Sequence, residues 1–147
     1  MKFNAFMKYA GSDGTIIEAS NGDKWLYFNN TAMKIPEGKN VCGNIAKMPD
    51  FVDEMIYHED YEYCELTNAY VPNATSKPSE LMRTFSTVYA HEMESIDVPN
   101  KIYGFIEAKN ETYISGYSDD DCDYTALLVT DDYGEDKEFK MIYVVKG

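Results

Sequence analysis

Arginine is almost missing from this chain. Of its 13 basic residues only Arg83 is arginine, set against 26 carboxylates, for a net charge of −13. Guanidinium forks are the usual means of holding phosphate oxygens in pairs, so this composition argues against a surface built to grip a nucleic-acid backbone. No polybasic segment is present for an anionic membrane, and no apolar run approaches bilayer length. Cysteine is scarce too: Cys42, Cys64 and Cys122 are odd in number and widely spaced. That pattern offers neither a disulfide framework nor a C-x-x-C metal pair. Met1 to Lys8 is too short and too polar for the apolar stretch of a secretory signal, so a reduced cytoplasmic setting is expected. On that expectation the N-x-S/T matches at Asn29, Asn73 and Asn110 carry little weight.

Catalytic signatures are likewise missing. There is no G-x-S-x-G elbow, no phosphate-binding glycine loop, no H-E-x-x-H and no zinc-deaminase pattern. Two histidines, His58 and His91, restrict the choice of general base. No cofactor and no metal are expected.

What the chain does have is enough apolar residue for a core. Hydrophobic residues make up 44% of 147 positions, which argues against disorder despite the charge, and the length suits one domain spanning 1–147. Thirteen tyrosines and seven phenylalanines favour strands. The alternation of Phe3, Ala5, Met7 and Tyr9 predicts a first strand over 2–10. A second strand is expected over 15–19, then a hairpin through Asn21-Gly22 into 24–28, making a three-stranded meander. Residues 30–47, with Pro36, Gly38, Asn40 and Gly43, read as a long irregular connection. Met48, Phe51, Val52, Met55 and Ile56 recur at helical spacing behind Pro49, predicting a short helix over 49–57. Strand is expected over 61–71, a loop over 72–78, helix then strand across 79–95, and hairpins pairing 101–108 with 113–117 and 124–130 with 139–145. The expected fold is α+β: a mainly antiparallel sheet, an N-terminal meander plus C-terminal hairpins, with one or two short helices.

The local charge runs are acidic and fall at expected turns. One is Asp119, Asp120, Asp121 and Asp123 around Cys122; the other is Asp131, Asp132, Glu135 and Asp136 around Tyr133. If extended, Asp119, Asp121 and Asp123 would project to one side at intervals of about 6.6 Å, comparable with consecutive phosphates of a nucleic acid. Both turns are expected near one end of the sheet, where Tyr117 and Tyr133 would supply aromatic contact area. A calcium loop is tested by the same run and fails. Its sixth position is Tyr124 where the sharp turn demands glycine, and its twelfth is Thr130 where a bidentate Glu belongs. A third acidic cluster, His58 to Glu62, lies six residues from Cys64 at its histidine but lacks zinc spacing.

Charge therefore leads the functional expectation. The reading is a non-enzymatic interaction protein whose acidic turns dock on a basic protein surface, inhibiting a nucleic-acid-binding protein by imitating a polyanion, without itself contacting nucleic acid or membrane. The alternative is a structural or ligand-binding β-domain serving as a subunit of a larger assembly. A small hydrolase using His58 or His91 ranks third.

Overall fold

A computed structural model of the chain describes residues 1–57, 60–72, 81–131 and 137–147. The described residues form three short helices, α1 (Phe3–Ala10), α2 (Asp50–Tyr57) and α3 (Asn100–Tyr103), and ten strands. The strands are β1 (Thr15–Glu18), β2 (Lys24–Phe28), β3 (Thr31–Lys34), β4 (Ile45–Lys47), β5 (Tyr61–Tyr70), β6 (Met82–Thr87), β7 (Ser95–Pro99), β8 (Glu111–Ser118), β9 (Asp123–Thr130) and β10 (Met141–Lys146). They make one sheet in the order β4-β1-β2-β3-β10-β9-β8-β5-β6-β7. Every neighbouring pair is antiparallel except β1 with β4, so the sheet is mixed but mainly antiparallel.

The first expected strand is a helix. Phe3, Phe6 and Ala10 are buried at spacings of three and four, whereas Ala5 is exposed. The alternation of Phe3, Ala5, Met7 and Tyr9 is coincidental, because only the helical set finds a core to enter. Strands β1 and β2 do pair as a hairpin, with Gly22 at φ 92 in the connection. The run continues into β3 through Asn29 and Asn30, whose φ values of 52 and 61 are those of a two-residue primed turn. Thus β1, β2 and β3 are consecutive antiparallel neighbours, and the residues read as an irregular connection contain both β3 and β4.

Two other expectations are corrected. Residues 82–87 are strand, not helix: Phe85 is buried on one face and β-branched Thr84 and Thr87 suit the pleat. The strand expected to follow does not continue: residues 88–94 turn, and β7 begins at Ser95. Residues 101–108 are not a strand, since Pro99 leads into the single turn of α3 and Gly104 closes it. The helix over 49–57 and the hairpin of β9 with β10 are found as expected. Most of the loop expected at 72–78 lies outside the described residues.

Both faces of the sheet are covered, which explains the unbroken apolar run Ala126 to Val129 in β9. Alternate residues go to opposite layers. Leu127, Val129, Met141 and Ile114 pack with Phe3, Phe6, Ile102 and Phe105 beneath α1 and α3. Ala126, Leu128, Ile142 and Trp25 pack with Val52, Met55 and Ile56 beneath α2. The α2 layer carries the site described next.

Candidate functional site

The two acidic turns stand at opposite ends of β9. The first joins β8 to β9 and the second joins β9 to β10, so eight residues of strand separate them, about 24 Å. The expectation that they share one end of the sheet is therefore wrong: successive turns of a meander alternate ends. Of the second turn only Asp131 is described, while Asp132, Tyr133, Glu135 and Asp136 lie outside the described residues. Asp131 is not a free carboxylate, because Lys140 Nζ lies 3.1 Å from its Oδ1. Burial pushes its pKa up, but the Lys140 ammonium, a backbone N–H and the N-terminal charge together outweigh that and hold it below the ordinary value. It lines a cleft of about 460 Å³ with Lys34, Glu138 and Lys140, a surface of mixed sign rather than an acidic one.

The first turn is tight, not extended. Asp119 N–H donates to the Cys122 carbonyl at 3.0 Å, and Ser118 pairs with Asp123 where the strands close. Asp119 Oδ1 accepts the backbone N–H groups of Asp121 and Cys122 at 2.9 and 2.8 Å. Those donors hold the Asp119 carboxyl below its usual range. A carboxylate that folds back to cap its own turn cannot stand in a straight row with Asp121 and Asp123. The phosphate-like ladder is replaced by a knot of charge, with Asp120, Asp121 and Asp123 exposed around it.

Packing adds carboxylates that sequence reading missed. Tyr117 and Tyr124 are cross-strand partners at the base of the turn. Phe51 of α2 stacks on Tyr124, with ring centroids 4.0 Å apart and planes 10° from parallel, and lies 6.2 Å from Tyr117. This brings Asp50 and Glu54, exposed one helical turn apart, against the same end of the sheet. Burial pushes the Tyr117 hydroxyl above its ordinary pKa, and the carboxylates of Glu54, Asp119 and Asp50 push it further. Glu54, Asp60 and Tyr117 also line a small cleft of about 170 Å³. The result is an acidic surface with an aromatic floor, drawn from α2 and the β8–β9 turn. Lys47 and Lys146 are the lysines beside it; Lys47 lies 3.3 Å from Asp50, and Lys146 is close enough to stabilise the Asp119 charge.

Helix α2 is held in place by two polar clamps. Ser20, in the β1–β2 connection, donates from its backbone N–H and its hydroxyl to the two Asp53 oxygens, both at 2.9 Å. At the other end, Trp25 Nε1 donates to the Tyr57 hydroxyl at 3.1 Å, and that hydroxyl donates to Asp23 Oδ2 at 2.8 Å. Lys34 bridges Asp23 and Glu138. Burial pushes Asp23 up, but Tyr57, Asn21 and Lys34 together outweigh it and hold its carboxyl low. Burial also pushes Tyr57 well up, and the Asp23 charge adds to this against the Trp25 hydrogen bond.

The side chains considered for other chemistry are scattered. Cys42 is exposed and Cys64 is buried, the burial pushing its thiol up to about 12. Cys122 sits half-buried in the acidic turn. His91 is exposed in the β6–β7 connection, and His58 lies outside the described residues. Among the described residues no three His, Cys, Asp or Glu side chains converge as a metal site, and no helix is long and apolar enough to cross a membrane.

Comparison with known proteins finds no family model, no curated protein and no solved structure that matches this chain.

Proposed function

We propose that this protein is a non-enzymatic binding protein whose α2 and β8–β9 end docks on a basic protein surface. One observation carries the reading: Asp50, Glu54, Asp119, Asp120, Asp121 and Asp123 gather around Phe51, which stacks on Tyr124 and lies tilted against Tyr117. Clustered like charge speeds encounter with a basic surface, and planar aromatic side chains supply contact area once water is excluded. When the partner uses that basic surface for nucleic acid, docking here competes with the nucleic acid and inhibits it. Such competition rests on charge density and not on phosphate-like spacing, since the turn is folded.

The test is a combined substitution, Asp50→Asn, Glu54→Gln, Asp119→Asn and Asp121→Asn. Asparagine at 119 keeps the oxygen that accepts the turn's N–H groups. The unmodified protein is expected to retain a basic nucleic-acid-binding partner at low salt and release it as salt rises. The combined variant is expected to lose that partner at all salt concentrations. Undiminished binding by the variant would refute the reading.

One observation favours a second reading, the subunit of a larger assembly. Tyr89 and Met93, in the β6–β7 connection, are 82% and 79% exposed. A stable homo-oligomer in light scattering, dispersed by Tyr89→Ser with Met93→Ser, would favour it over acidic docking.

A further inference from the structure

Beside the acidic surface lies an opening of opposite character. A cleft of about 310 Å³ runs between the start of α2 and the sheet, with Ile17, Tyr27, Ala32, Val52 and Ile142 in its walls. The side chains with polar atoms at its rim are Thr15, Tyr27, Asn30 and Lys47, the last lying 3.3 Å from Asp50. Its volume is at the lower end of the range of about 300 to 1,000 Å³ typical of small-ligand sites. Phe51 is common to both features: it lines the cleft and stacks on Tyr124 at the foot of the acidic turn. Asp50 sits between Pro49 and Phe51, both of which line the cleft, and is exposed beside them.

We propose that this cleft is the socket for one bulky apolar side chain carried within the basic segment that docks on the acidic surface; the inference rests on the docking reading above. Charge complementarity selects the occupant. An apolar side chain alone would find apolar walls, but its flanking residues meet Asp50 at the rim, with Glu54 one helical turn further along α2. Lysine or arginine on those flanks is favoured and a carboxylate is repelled. The partner is thus a basic peptide segment with a leucine- or phenylalanine-sized anchor, the arrangement in which a buried anchor supplies most of the binding energy and the charges set specificity.

Three synthetic pentapeptides test this on the intact protein by amide chemical-shift titration. The first has phenylalanine between two pairs of lysines, the second has serine in its place, and the third has phenylalanine between two pairs of glutamates. The phenylalanine–lysine peptide is expected to bind at least about tenfold more tightly than the serine–lysine peptide, with shifts at Ile17, Ala32 and Val52. The glutamate peptide is expected to show no binding. Ala46→Trp, at an exposed position that lines the cleft, is expected to abolish the difference between the two lysine peptides while leaving salt-sensitive binding of both. Equal affinity of the two lysine peptides for the unmodified protein would overturn the socket and leave acidic docking standing. Binding of the glutamate peptide as tightly as its lysine counterpart would overturn the charge pairing. Binding by none of them would overturn both proposals.

Discussion

Replacing Tyr57 by phenylalanine removes one oxygen and tests how the acidic helix is held. That oxygen accepts from Trp25 Nε1 at 3.1 Å and donates to Asp23 at 2.8 Å. Trp25 is fully buried, so its N–H would lose its partner within the protein. A buried donor left unpaired costs about 1–3 kcal/mol. Tyr57 is 39% exposed, so water can reach the vacated position from one side, and we expect the lower part of that range, about 1–2 kcal/mol. For a chain of this size the loss corresponds to a fall in Tm of about 3–6 °C. The assay has a built-in reporter, because Trp25 is the only tryptophan. Its emission should shift in the native state of Tyr57→Phe, and urea unfolding followed by that emission should yield the loss of stability. A double-mutant cycle with Asp23→Asn should show non-additive losses, since the two side chains share one hydrogen bond. An unchanged midpoint, unchanged emission and strict additivity would refute the idea that this chain of hydrogen bonds clamps α2.

Other measurements bear on separate parts of the structure. Phe6→Ala should cost about 3–5 kcal/mol in denaturant unfolding, because Phe6 is fully buried under α1; a loss below about 1 kcal/mol would place it on the surface. The Asp23 carboxyl titrates below its unfolded value of about 3.9, so the stability it contributes is complete above that pH and is lost as pH falls through the lower folded value. Asp23→Asn should flatten that acid limb, as read by Tm against pH. A thiol-labelling reagent should modify exposed Cys42 quickly and Cys64 only at the rate of unfolding, since burial raises the Cys64 thiol to about 12; fast labelling of Cys64 in a Cys42→Ser, Cys122→Ser variant would contradict its burial.

Legibility in the sequence followed the locality of the signal. Helix α2 was readable because Pro49, the early aspartates and the spacing of Val52, Met55 and Ile56 agree with one another. The β9–β10 hairpin was readable from two apolar runs around an acidic gap. Helix α1 was not, because in eight residues period two and period 3.6 both fit the apolar positions, and only the presence of Ile102 and Phe105 opposite Phe6 decides between them. The turn at Asn29-Asn30 does carry a local signal, since asparagine is the non-glycine residue best suited to left-handed backbone. At the site, the Asp119–Asp123 run was visible in the sequence. Its folded shape, its separation from Asp131, and the arrival of Asp50 and Glu54 depend on pairing and packing between distant segments, which local pattern does not encode.

The position of β10 has a consequence for how the chain acquires its structure. This strand lies between β3 and β9, and its residue Met141 pairs with Met33, far from it along the chain. During synthesis β1, β2 and β3 emerge early, yet their open edge has no partner until β10 leaves the ribosome. Between the synthesis of β3 and that of β10 a nascent chain therefore carries an unpaired strand edge, the state most exposed to wrong pairing with other chains. Because this closing contact spans roughly a hundred residues, folding should wait on it and be slow for a domain of this size. Through that interval, mutual repulsion among strongly acidic nascent chains would keep them apart.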